Sequence, residues 1–354
     1  MFPDFLIIGA GAVGLATALE LTRRGARVTL IERGRSGAES TWAGGGILSP
    51  LLPWQYGEAV NALSEYSRAL FPDWCARQQV LSGLDAEYRA SGMLVLPPFD
   101  QTQAFDWCGR HGWRCEIRPR ADFLPSDTEE DALWLPDVAQ TRNPRLAQVL
   151  RGAALAAGVR IVESAEVTAM QASDGRISRV DTTQGDFSAA AVIVTAGAWS
   201  GTLPGLEVLA KRVFPVRGQM LLFKLAPEVL RNIVLQNGAY LIPRLDGHIL
   251  AGSTLEWAGF DKSVTASARR DLLALAAGIL PALNERVLAQ QWSGLRPGSP
   301  DNVPVIAACP GYANLFINSG HFRYGVTMAP GAAMLLADLI EGRATAIPAE
   351  PYQA

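Results

Sequence analysis

The feature that most constrains this chain is a glycine-rich motif that follows a short apolar run near the N-terminus. Residues Phe5–Ile8 predict a buried parallel strand, and the G-A-G-A-V-G motif of Gly9–Gly14 comes directly after it. The Ala- and Leu-rich segment Leu15–Arg24 predicts a helix, and Arg27–Ile31 predicts a second strand that ends at Glu32. A G-x-G-x-x-G sequence between a strand and a helix, with an acidic residue after the next strand, is typical of dinucleotide-binding folds.

Each part of this motif has a physical role in holding a pyrophosphate. Gly9 allows the tight turn out of the strand, Gly11 lets the pyrophosphate approach the backbone, and Gly14 lets the helix pack closely on the strand. The helix N-terminus offers free N–H groups and the positive end of its dipole to the phosphates. Glu32 can accept hydrogen bonds from both ribose hydroxyls of an adenosine. Its negative charge disfavours a 2′-phosphate, so NADP is not expected.

The segment that follows Glu32 favours FAD over NAD. Residues Ser40–Pro50 are small and hydroxyl-bearing, with three consecutive glycines between apolar residues. NAD enzymes usually continue from the acidic strand into another regular strand–helix unit, whereas this loop suits a chain that lies over a second, larger face of the cofactor. An ordinary surface loop is the alternative, but a flexible linker would be more polar.

The remaining segments predict a discontinuous organisation into two domains. A dinucleotide-binding domain is expected in residues 1–52, 138–210 and 291–354, and a substrate domain in residues 53–137 and 211–290. The patterns predict helices over Gly57–Leu70 and Asp73–Ser82, and strands over Val213–Val216 and Gln219–Lys224. The chain is expected to cross back to the first domain at Gln291–Gly298.

Composition limits the class of protein. Of the 354 residues, 49% are hydrophobic and 18% are charged, so the chain can bury enough apolar surface to offset its ordering entropy. The 31 basic and 34 acidic residues give a net charge of −3, and no nucleic-acid partner is expected because such a partner requires a basic excess. No stretch reaches the ~18–20 apolar residues that span a bilayer, and the N-terminus lacks the basic region of a signal peptide. A cytoplasmic protein without an integral membrane segment is therefore expected.

The cysteines indicate neither a disulfide scaffold nor a metal centre. Four cysteines are too few for a secreted disulfide-rich domain. Cys108, His111 and Cys115 form the one cluster of metal-ligating types, but three ligands are short of a structural zinc site and no C-x-x-C pair supports it. No metal is expected.

Four motifs along almost the whole chain resemble those of the D-amino-acid-oxidase family of flavoproteins, and within it those of the glycine oxidases of bacterial thiazole synthesis. They are Gly9–Gly14 with Glu32, Ser40–Pro50, the W-x-G-L-R-P-G sequence of Trp292–Gly298, and the G-H-F-R-x-G sequence of Gly320–Gly325 followed by Met328–Pro330. The resemblance implies an α/β fold with a Rossmann-like FAD-binding domain. It also implies a second, α+β substrate domain whose large antiparallel sheet roofs the substrate cavity.

The same resemblance implies the residues that contact the cofactor. In the glycine motif they are Gly9, Gly11, Ala12, Val13 and Gly14. The others are Glu32, Arg33, Ser40, Thr41, Gly45, Gly46, Ile47, Val167, His321, Phe322, Arg323, Tyr324, Gly325, Val326 and Thr327. No cysteine stands in Gly294–Arg296, where sarcosine-oxidase relatives attach their flavin, so the FAD is expected to bind non-covalently.

For the substrate, the resemblance implies Arg296, which matches the arginine that binds the substrate carboxylate, with Arg323 and Tyr240 as supporting residues. A buried guanidinium can bind an amino-acid carboxylate through two charge-assisted hydrogen bonds, although a structural salt bridge is the alternative for Arg296. Leu255 stands where several relatives have Met, which affects the shape of the cavity. His321 is expected to be an ordinary buried histidine rather than a catalytic base. Besides Tyr240, the aromatic residues expected mostly in the core are Trp257, Phe322 and Tyr324.

The implied activity is oxidative deamination of glycine, and of sarcosine and small D-amino acids, by hydride transfer to flavin N5. The flavin carries the chemistry, so no catalytic side chain is expected. Oxygen would reoxidise the flavin to give H2O2, and the imine would hydrolyse to glyoxylate and ammonia. The resemblance also implies a role in thiazole and thiamine synthesis. One alternative is a D-amino-acid dehydrogenase that passes electrons to a quinone, and another is a non-catalytic FAD module or part of a tRNA-modifying protein. The preferred amino acid and the formation of a homo-oligomer stay open.

Overall fold

The structure is a computed structural model that describes residues 2–125 and 130–354. The strands in these residues are β1 (Phe5–Ile8), β2 (Val28–Ile31), β3 (Arg89–Ala90), β4 (Met93–Val95), β5 (Glu116–Pro119), β6 (Asp131–Leu135), β7 (Ala139–Gln140), β8 (Arg160–Val162), β9 (Val167–Ser173), β10 (Arg176–Thr182), β11 (Gly185–Phe187), β12 (Ala191–Val194), β13 (Phe214–Lys224), β14 (Ile233–Gln236), β15 (Ala239–Pro243), β16 (His248–Gly252), β17 (Leu288–Gly298), β18 (Val305–Ala308) and β19 (Leu315–Ser319). The helices are α1 (Ala12–Arg23), α2 (Ser40–Ala43), α3 (Glu58–Ser82), α4 (Gln101–His111), α5 (Asn143–Ala156), α6 (Ala266–Ile279) and α7 (Gly325–Glu341).

The first sheet is parallel at its centre and is covered on both faces. Its strand order is β18-β19-β12-β1-β2-β8, and all neighbours run parallel except β18, which is antiparallel to β19. Helices α1, α3, α5 and α7 share one apolar core on one face. The antiparallel sheet β11-β10-β9 covers the other face. The continuous apolar runs of β1 and β12 follow from this two-sided burial.

The second sheet is larger and mostly antiparallel, with the order β17-β13-β16-β15-β14-β4-β6-β5. Of these neighbours, only β14 and β4 run parallel. Side chains alternate between its two faces along β13 and β15: Met220 and Tyr240 lie in the core shared with α4, whereas Leu221 and Leu241 lie in the core shared with α6. The small sheet of β3 and β7 lies outside both large sheets. The expected α/β fold with a Rossmann-like domain and a large antiparallel sheet is confirmed.

Three segments differ from the expected elements. The two expected helices are one helix, α3, that continues through Pro72. Because α3 packs against both α5 and α7, tertiary burial outweighs the one backbone donor that proline lacks. The two expected strands around Gly218 are likewise one long strand, β13. Residues 291–298 lie in β17, which pairs with β13 along its length, so this stretch belongs to the antiparallel sheet.

The division of the chain into domains at particular residues stays a prediction. The strands of the first sheet come from residues 5–31, 160–194 and 305–319, and those of the second from residues 93–135 and 214–298. In the described residues, no helix is both long and apolar enough to cross a membrane.

Candidate active site

The glycine motif forms a tight turn between β1 and α1. Gly9 has a φ of +108°, and a Cβ atom there would lie 2.6 Å from the carbonyl oxygen of Thr195. A Cβ atom on Gly14 would collide with the carbonyl oxygen of Gly9, so this glycine brings α1 against the strand. Gly11 is different, because the nearest atom to its Cβ position is the Thr41 hydroxyl at 3.4 Å. The open side of the turn is therefore at Gly11, where α1 begins.

Glu32 lies beside this turn at the end of β2. One carboxylate oxygen accepts the Ala10 N–H at 2.8 Å, and the other accepts the Gly34 N–H at 2.9 Å. These two bonds fix the orientation of the carboxylate next to the glycine motif. The neighbouring Arg33 is exposed, and its guanidinium lies 3.6 Å from the ring centroid of Trp199.

Arg244 supports the glycine-rich loop after α2 through hydrogen bonds. This arginine is buried and donates to the carbonyl oxygen of Gly45 at 2.7 Å and to that of Thr141 at 2.9 Å. Its third acceptor is the side-chain oxygen of Gln140 at 2.8 Å. Burial lowers the pKa of Arg244 to about 9, so it remains protonated at neutral pH. Arg244 follows β15 of the large sheet, and it therefore ties that sheet to the loop.

The segment His321–Thr327 leads from β19 into α7. Phe322 has a φ of +43°, which is a strained conformation for a bulky side chain and is typical of functional loops. The hydroxyl of Thr327 donates to the carbonyl oxygen of Ile47 at 3.1 Å, so this segment is tied to the loop that Arg244 supports. Burial lowers the pKa of His321 to about 3, and its imidazole is neutral at physiological pH.

These segments surround a cavity that reaches from the glycine motif to the large sheet. Of the cofactor residues predicted from the sequence, those that line it are Gly11, Ala12, Val13, Ser40, Thr41, Gly45, Gly46, Ile47, His321, Phe322, Arg323, Tyr324, Gly325 and Val326. The predicted substrate residues Arg296 and Tyr240 line it together with Arg323. Gly9, Gly14, Glu32, Arg33, Val167 and Thr327 lie outside its lining.

Arg296 enters the cavity from β17 and is held by neutral groups. It donates to the Ser253 hydroxyl at 2.6 Å and to the carbonyl oxygens of Thr254 at 3.1 Å and Arg217 at 3.4 Å. Its guanidinium lies directly over Gly218, where a Cβ atom would collide with it. Within residues 2–125 and 130–354, Arg296 forms no ion pair with a carboxylate, so the structural salt bridge considered above is not found.

The electrostatics at Arg296 favour an anion in the cavity. Burial lowers the pKa of Arg296; contact with Tyr240 opposes this shift, and the positive charge of Arg323 adds to it. An arginine side chain remains protonated at neutral pH despite such a shift. A buried cation without a counter-charge is unstable, and a ligand carboxylate that accepts two hydrogen bonds from it relieves that cost.

Some buried polar atoms without a hydrogen-bond partner lie at this cavity, and others lie elsewhere in the described residues. Four cavity-lining residues carry such atoms: Asn143 (Oδ1), Asn318 (Oδ1), His321 (Nε2) and Tyr324 (Oη). A buried polar atom without a partner costs free energy, and a polar ligand in the cavity that pairs with these four atoms would remove that cost.

Sequence reasoning misplaced one aromatic residue and missed several cavity residues. Trp257 was expected in the core, but it is 72% exposed because it lies on the loop that follows β16. Leu255, expected to affect the shape of the cavity, does not line it, whereas Met220 does and lies 4.0 Å from the Tyr240 hydroxyl. Asn143, Ser253 and Asn318 also line the cavity, and no local motif in the sequence marks them.

Comparison with known proteins gives consistent matches over the whole chain. The sequence profile of the DAO family, described as FAD dependent oxidoreductase, matches residues 4–339. The chain is 42% identical over 353 residues to the glycine oxidase of Pseudomonas aeruginosa, which covers 98% of this chain and 97% of that protein. It is 31% identical to the bifunctional protein ThiO/ThiG of Trichormus variabilis, with 96% of this chain and 53% of that longer protein covered.

A solved structure agrees with these matches. The crystal structure of glycine oxidase from Geobacillus kaustophilus superposes on the chain with a TM-score of 0.90 at 29% identity, covering 99% of this chain and 98% of that one. A family match over nearly the whole chain, together with a close relative of equal length, identifies the family. The chain belongs to the DAO family of FAD dependent oxidoreductases.

Proposed function

We propose that this chain oxidises glycine to the imine, with sarcosine and small D-amino acids as further substrates. The observation that carries the proposal is Arg296, a partly buried cation without a carboxylate partner among the described residues, in the cavity that the glycine motif also lines. A substrate with a carboxylate next to its reacting carbon would satisfy Arg296 and place that carbon within the cavity. The identity of 42% to a glycine oxidase supports the same substrate class.

The residues around the cavity fit FAD. The open turn at Gly11, the helix N-terminus at Ala12 and the hydroxyl of Thr41 suit a pyrophosphate. The unpartnered polar atoms of Asn143 and His321 suit a ligand rich in hydrogen-bonding groups. We propose that these residues, with Glu32 at the ribose, hold FAD. FAD held by these residues would supply the acceptor for the substrate's hydride and the route of its electrons to O2.

The protein then has to orient the substrate and exclude water. Arg296 fixes the carboxylate end, and the absence of a side chain at Gly218 leaves room for the guanidinium. Ile47, Leu51 and Met220 supply apolar surface to the cavity wall, which strengthens the charge pair by reducing the local dielectric constant. His321 is neutral and cannot repel an approaching amino group. Orientation and desolvation by these residues need no side-chain base.

The decisive experiment is anaerobic addition of glycine to the FAD-loaded protein. We expect the flavin absorbance near its visible maximum to bleach, and we expect H2O2 to appear in a peroxide assay when air is admitted. Bleaching by glycine without peroxide, together with reduction of a quinone-like dye, would favour the dehydrogenase alternative. A flavin that neither glycine, sarcosine nor D-alanine reduces would contradict the proposal.

We also propose that the FAD is bound non-covalently. None of the four cysteines, all of which lie in the described residues, lines the cavity. Denaturation with acid should therefore release yellow, soluble FAD and leave a colourless polypeptide. Flavin that stays with the precipitated chain would contradict this.

A role in thiazole synthesis in the cytoplasm is a further part of the proposal. It is supported by the match of this chain to about half of a ThiO/ThiG protein. Expression of the gene should restore growth without thiamine to a bacterium that lacks its own glycine-oxidising enzyme for this pathway. The Arg296→Ala variant should fail to restore growth. Equal growth with the wild type and the variant would contradict the assignment.

A further inference from the structure

The orientation of the Arg296 guanidinium depends on the short segment that follows β16. Three neutral groups hold its guanidinium: the hydroxyl of Ser253 and the carbonyl oxygens of Thr254 and Arg217. Two of the three come from residues 253–254, which lie outside a regular strand. Anything that fixes this segment therefore also fixes the direction in which Arg296 presents its donors.

The segment is an irregular extension of the sheet along β13. The Thr254 N–H donates to the Gln219 carbonyl oxygen at 3.3 Å. Glu256 and Arg217 exchange two backbone hydrogen bonds, of 2.9 and 3.0 Å. The Thr254 hydroxyl also accepts the Gln219 N–H at 2.8 Å. These backbone contacts bring the side chain of Glu256 against β13.

The carboxylate of Glu256 joins the groups on both sides of this segment. One of its oxygens accepts from both Arg217 Nη2 at 2.6 Å and Nε at 2.9 Å, so two donors of the guanidinium share this oxygen in an ion pair. The other accepts from the Thr254 hydroxyl and from Gln219 Nε2 at 2.9 Å. Arg217 and Gln219 are both buried. Thr254 therefore contacts Arg296 through its carbonyl oxygen and Glu256 through its hydroxyl.

We propose that Glu256, held by Arg217 and Gln219, is a positioning residue that sets the orientation of Arg296 for carboxylate binding. The inference rests on the proposed function, because it assumes that Arg296 binds the carboxylate of the substrate. Glu256 acts through Thr254 and needs no contact with the ligand. A site held within about 0.5 Å of its productive geometry requires this kind of support from neighbouring residues.

The state of Glu256 agrees with this role. Burial raises its pKa, but hydrogen bonds from Thr254, Arg217 and Gln219 outweigh burial and hold the pKa below its usual range. Asp261 shares the guanidinium of Arg217 at 2.6 Å, and Lys262 and Arg33 bind Glu39 on the other side of the same loop. Glu256 is thus ionised throughout the pH range in which the enzyme would work.

The test is the Glu256→Gln variant, which keeps the shape of the side chain and removes its charge. Glycolate, which carries the carboxylate of glycine, is the probe, and its binding is measured on the FAD-loaded protein from the change in the flavin absorption spectrum. We expect the dissociation constant of glycolate to rise roughly 10- to 100-fold, as expected when a binding group is misaligned by about 1 Å. The KM for glycine should rise in parallel, while FAD affinity and the Tm remain at the wild-type values.

A matched control is Glu285→Gln, which breaks the exposed ion pair with Arg269 and is far from the cavity. It should leave the affinity for glycolate unchanged. The Thr254→Val variant provides a second test, because it removes the hydroxyl between Glu256 and Gln219 but keeps the carbonyl oxygen that Arg296 uses. It should also weaken glycolate binding. Combining Glu256→Gln with Thr254→Val should weaken binding less than the sum of the two single effects, since both act through one contact.

The outcomes separate this inference from the proposed function. Wild-type affinity for glycolate in both Glu256→Gln and Thr254→Val would overturn the positioning role. So would a loss of FAD and a lower Tm that fully account for the weaker binding. If Glu256→Gln does not fold, Thr254→Val decides the matter. Wild-type protein that neither binds glycolate nor is reduced by glycine would overturn the proposed function itself.

Discussion

At the scale of single residues, two charged side chains of opposite sign mark the glycine motif and the large sheet: Arg296 lines the cavity, and Glu32 lies just outside its lining. Glu32 lies at the turn of the glycine motif, with its carboxylate oriented by two backbone N–H groups. Arg296 lies in β17 of the large sheet and has no carboxylate partner among the described residues. The first suits a group that donates hydrogen bonds, and the second suits an anion. Each can be removed separately, because the two belong to different strands.

Arg296→Ala should abolish the preference of the enzyme for substrates that carry a carboxylate over amines that lack one. The loss of a buried bidentate charge pair costs about 2–5 kcal/mol, so we expect kcat/KM for glycine to fall by roughly 30-fold to several thousand-fold. Activity toward a simple primary amine should change little, and the FAD content should be that of the wild type. Steady-state kinetics with both substrates provide the measurement. Equal losses for the two substrates, or a variant that cannot retain FAD, would mean that Arg296 has a structural role.

Glu32→Lys should weaken FAD binding. The substitution removes the acceptor of the Ala10 and Gly34 N–H groups and places a cation beside the positive end of α1. A loss of about 2–4 kcal/mol in binding free energy is expected from a charge-assisted hydrogen bond and the added repulsion. FAD retention after dialysis measures this, with Glu39→Gln as a control on a carboxylate that binds Arg33 and Lys262. Full retention by Glu32→Lys would show that Glu32 is not at the ribose.

At the scale of elements, β13 and β17 together build the part of the cavity that contains Arg296. The two strands are antiparallel, with Phe214 paired with Gly298 at one end and Phe223 paired with Leu288 at the other. This register places Arg296 opposite Val216 and close to Gly218. Gly218 pairs with Gly294, so two residues without side chains leave the space that the guanidinium occupies. Gly218, which lies between the two strands expected from the sequence, and Gly294 of β17 are thus part of the cavity lining.

Gly218→Ala should therefore act as a substrate-site variant rather than a folding variant. Its Cβ atom would collide with the guanidinium of Arg296, and the arginine side chain would have to change its orientation. We expect the KM for glycine to rise roughly 10- to 100-fold while FAD binding persists. Gly278→Ala is the control, because nothing lies within 4 Å of a Cβ atom at that position in α6. An unchanged KM in Gly218→Ala would show that the cavity leaves Arg296 another position.

The local patterns predicted most of the cavity lining near the glycine motif but less of the lining near Arg296. The turn at Gly9, the helix α1 and the position of Glu32 depend on contacts between residues close in sequence, and the motif specifies them. Asn143 and Ser253 reach the cavity, and Arg244 reaches the loop that lines it, only because segments distant in sequence come together. No residue near them in the sequence marks this. Pro72 and Gly218 also misled the prediction of element ends, since burial against neighbouring elements outweighs their local preferences.

At the scale of the whole molecule, stability should fall in acid because of a residue at the junction of the two sheets. The pKa of buried His321 is about 3, whereas an imidazole in the unfolded chain has a pKa of about 6.5. Below pH 6.5 the unfolded state therefore binds the extra proton, and stability is lost as the pH falls from 6.5 towards 3. The contribution at pH 5 is a loss of about 2 kcal/mol.

His321→Gln isolates this effect, because glutamine does not titrate. Urea unfolding from pH 8 to pH 5, with FAD in the same excess throughout, should show a steeper loss of stability in the wild type than in the variant. The two curves should run parallel above pH 7. Parallel curves over the whole range would mean that His321 is protonated in the folded protein or that it is accessible to solvent.

The bond from Arg244 to Gly45 has a consequence for the lifetime of the protein. Through it, the loop that lines the cofactor cavity is also a point of attachment for the large sheet. A ligand that orders this loop adds to the free energy that holds the two halves of the molecule together, and at 100 times its dissociation constant it contributes about 2.7 kcal/mol. In a cell short of riboflavin, newly made chains would therefore unfold more often and be degraded faster than in a cell with ample riboflavin. Enzyme abundance would follow vitamin supply without any regulatory protein.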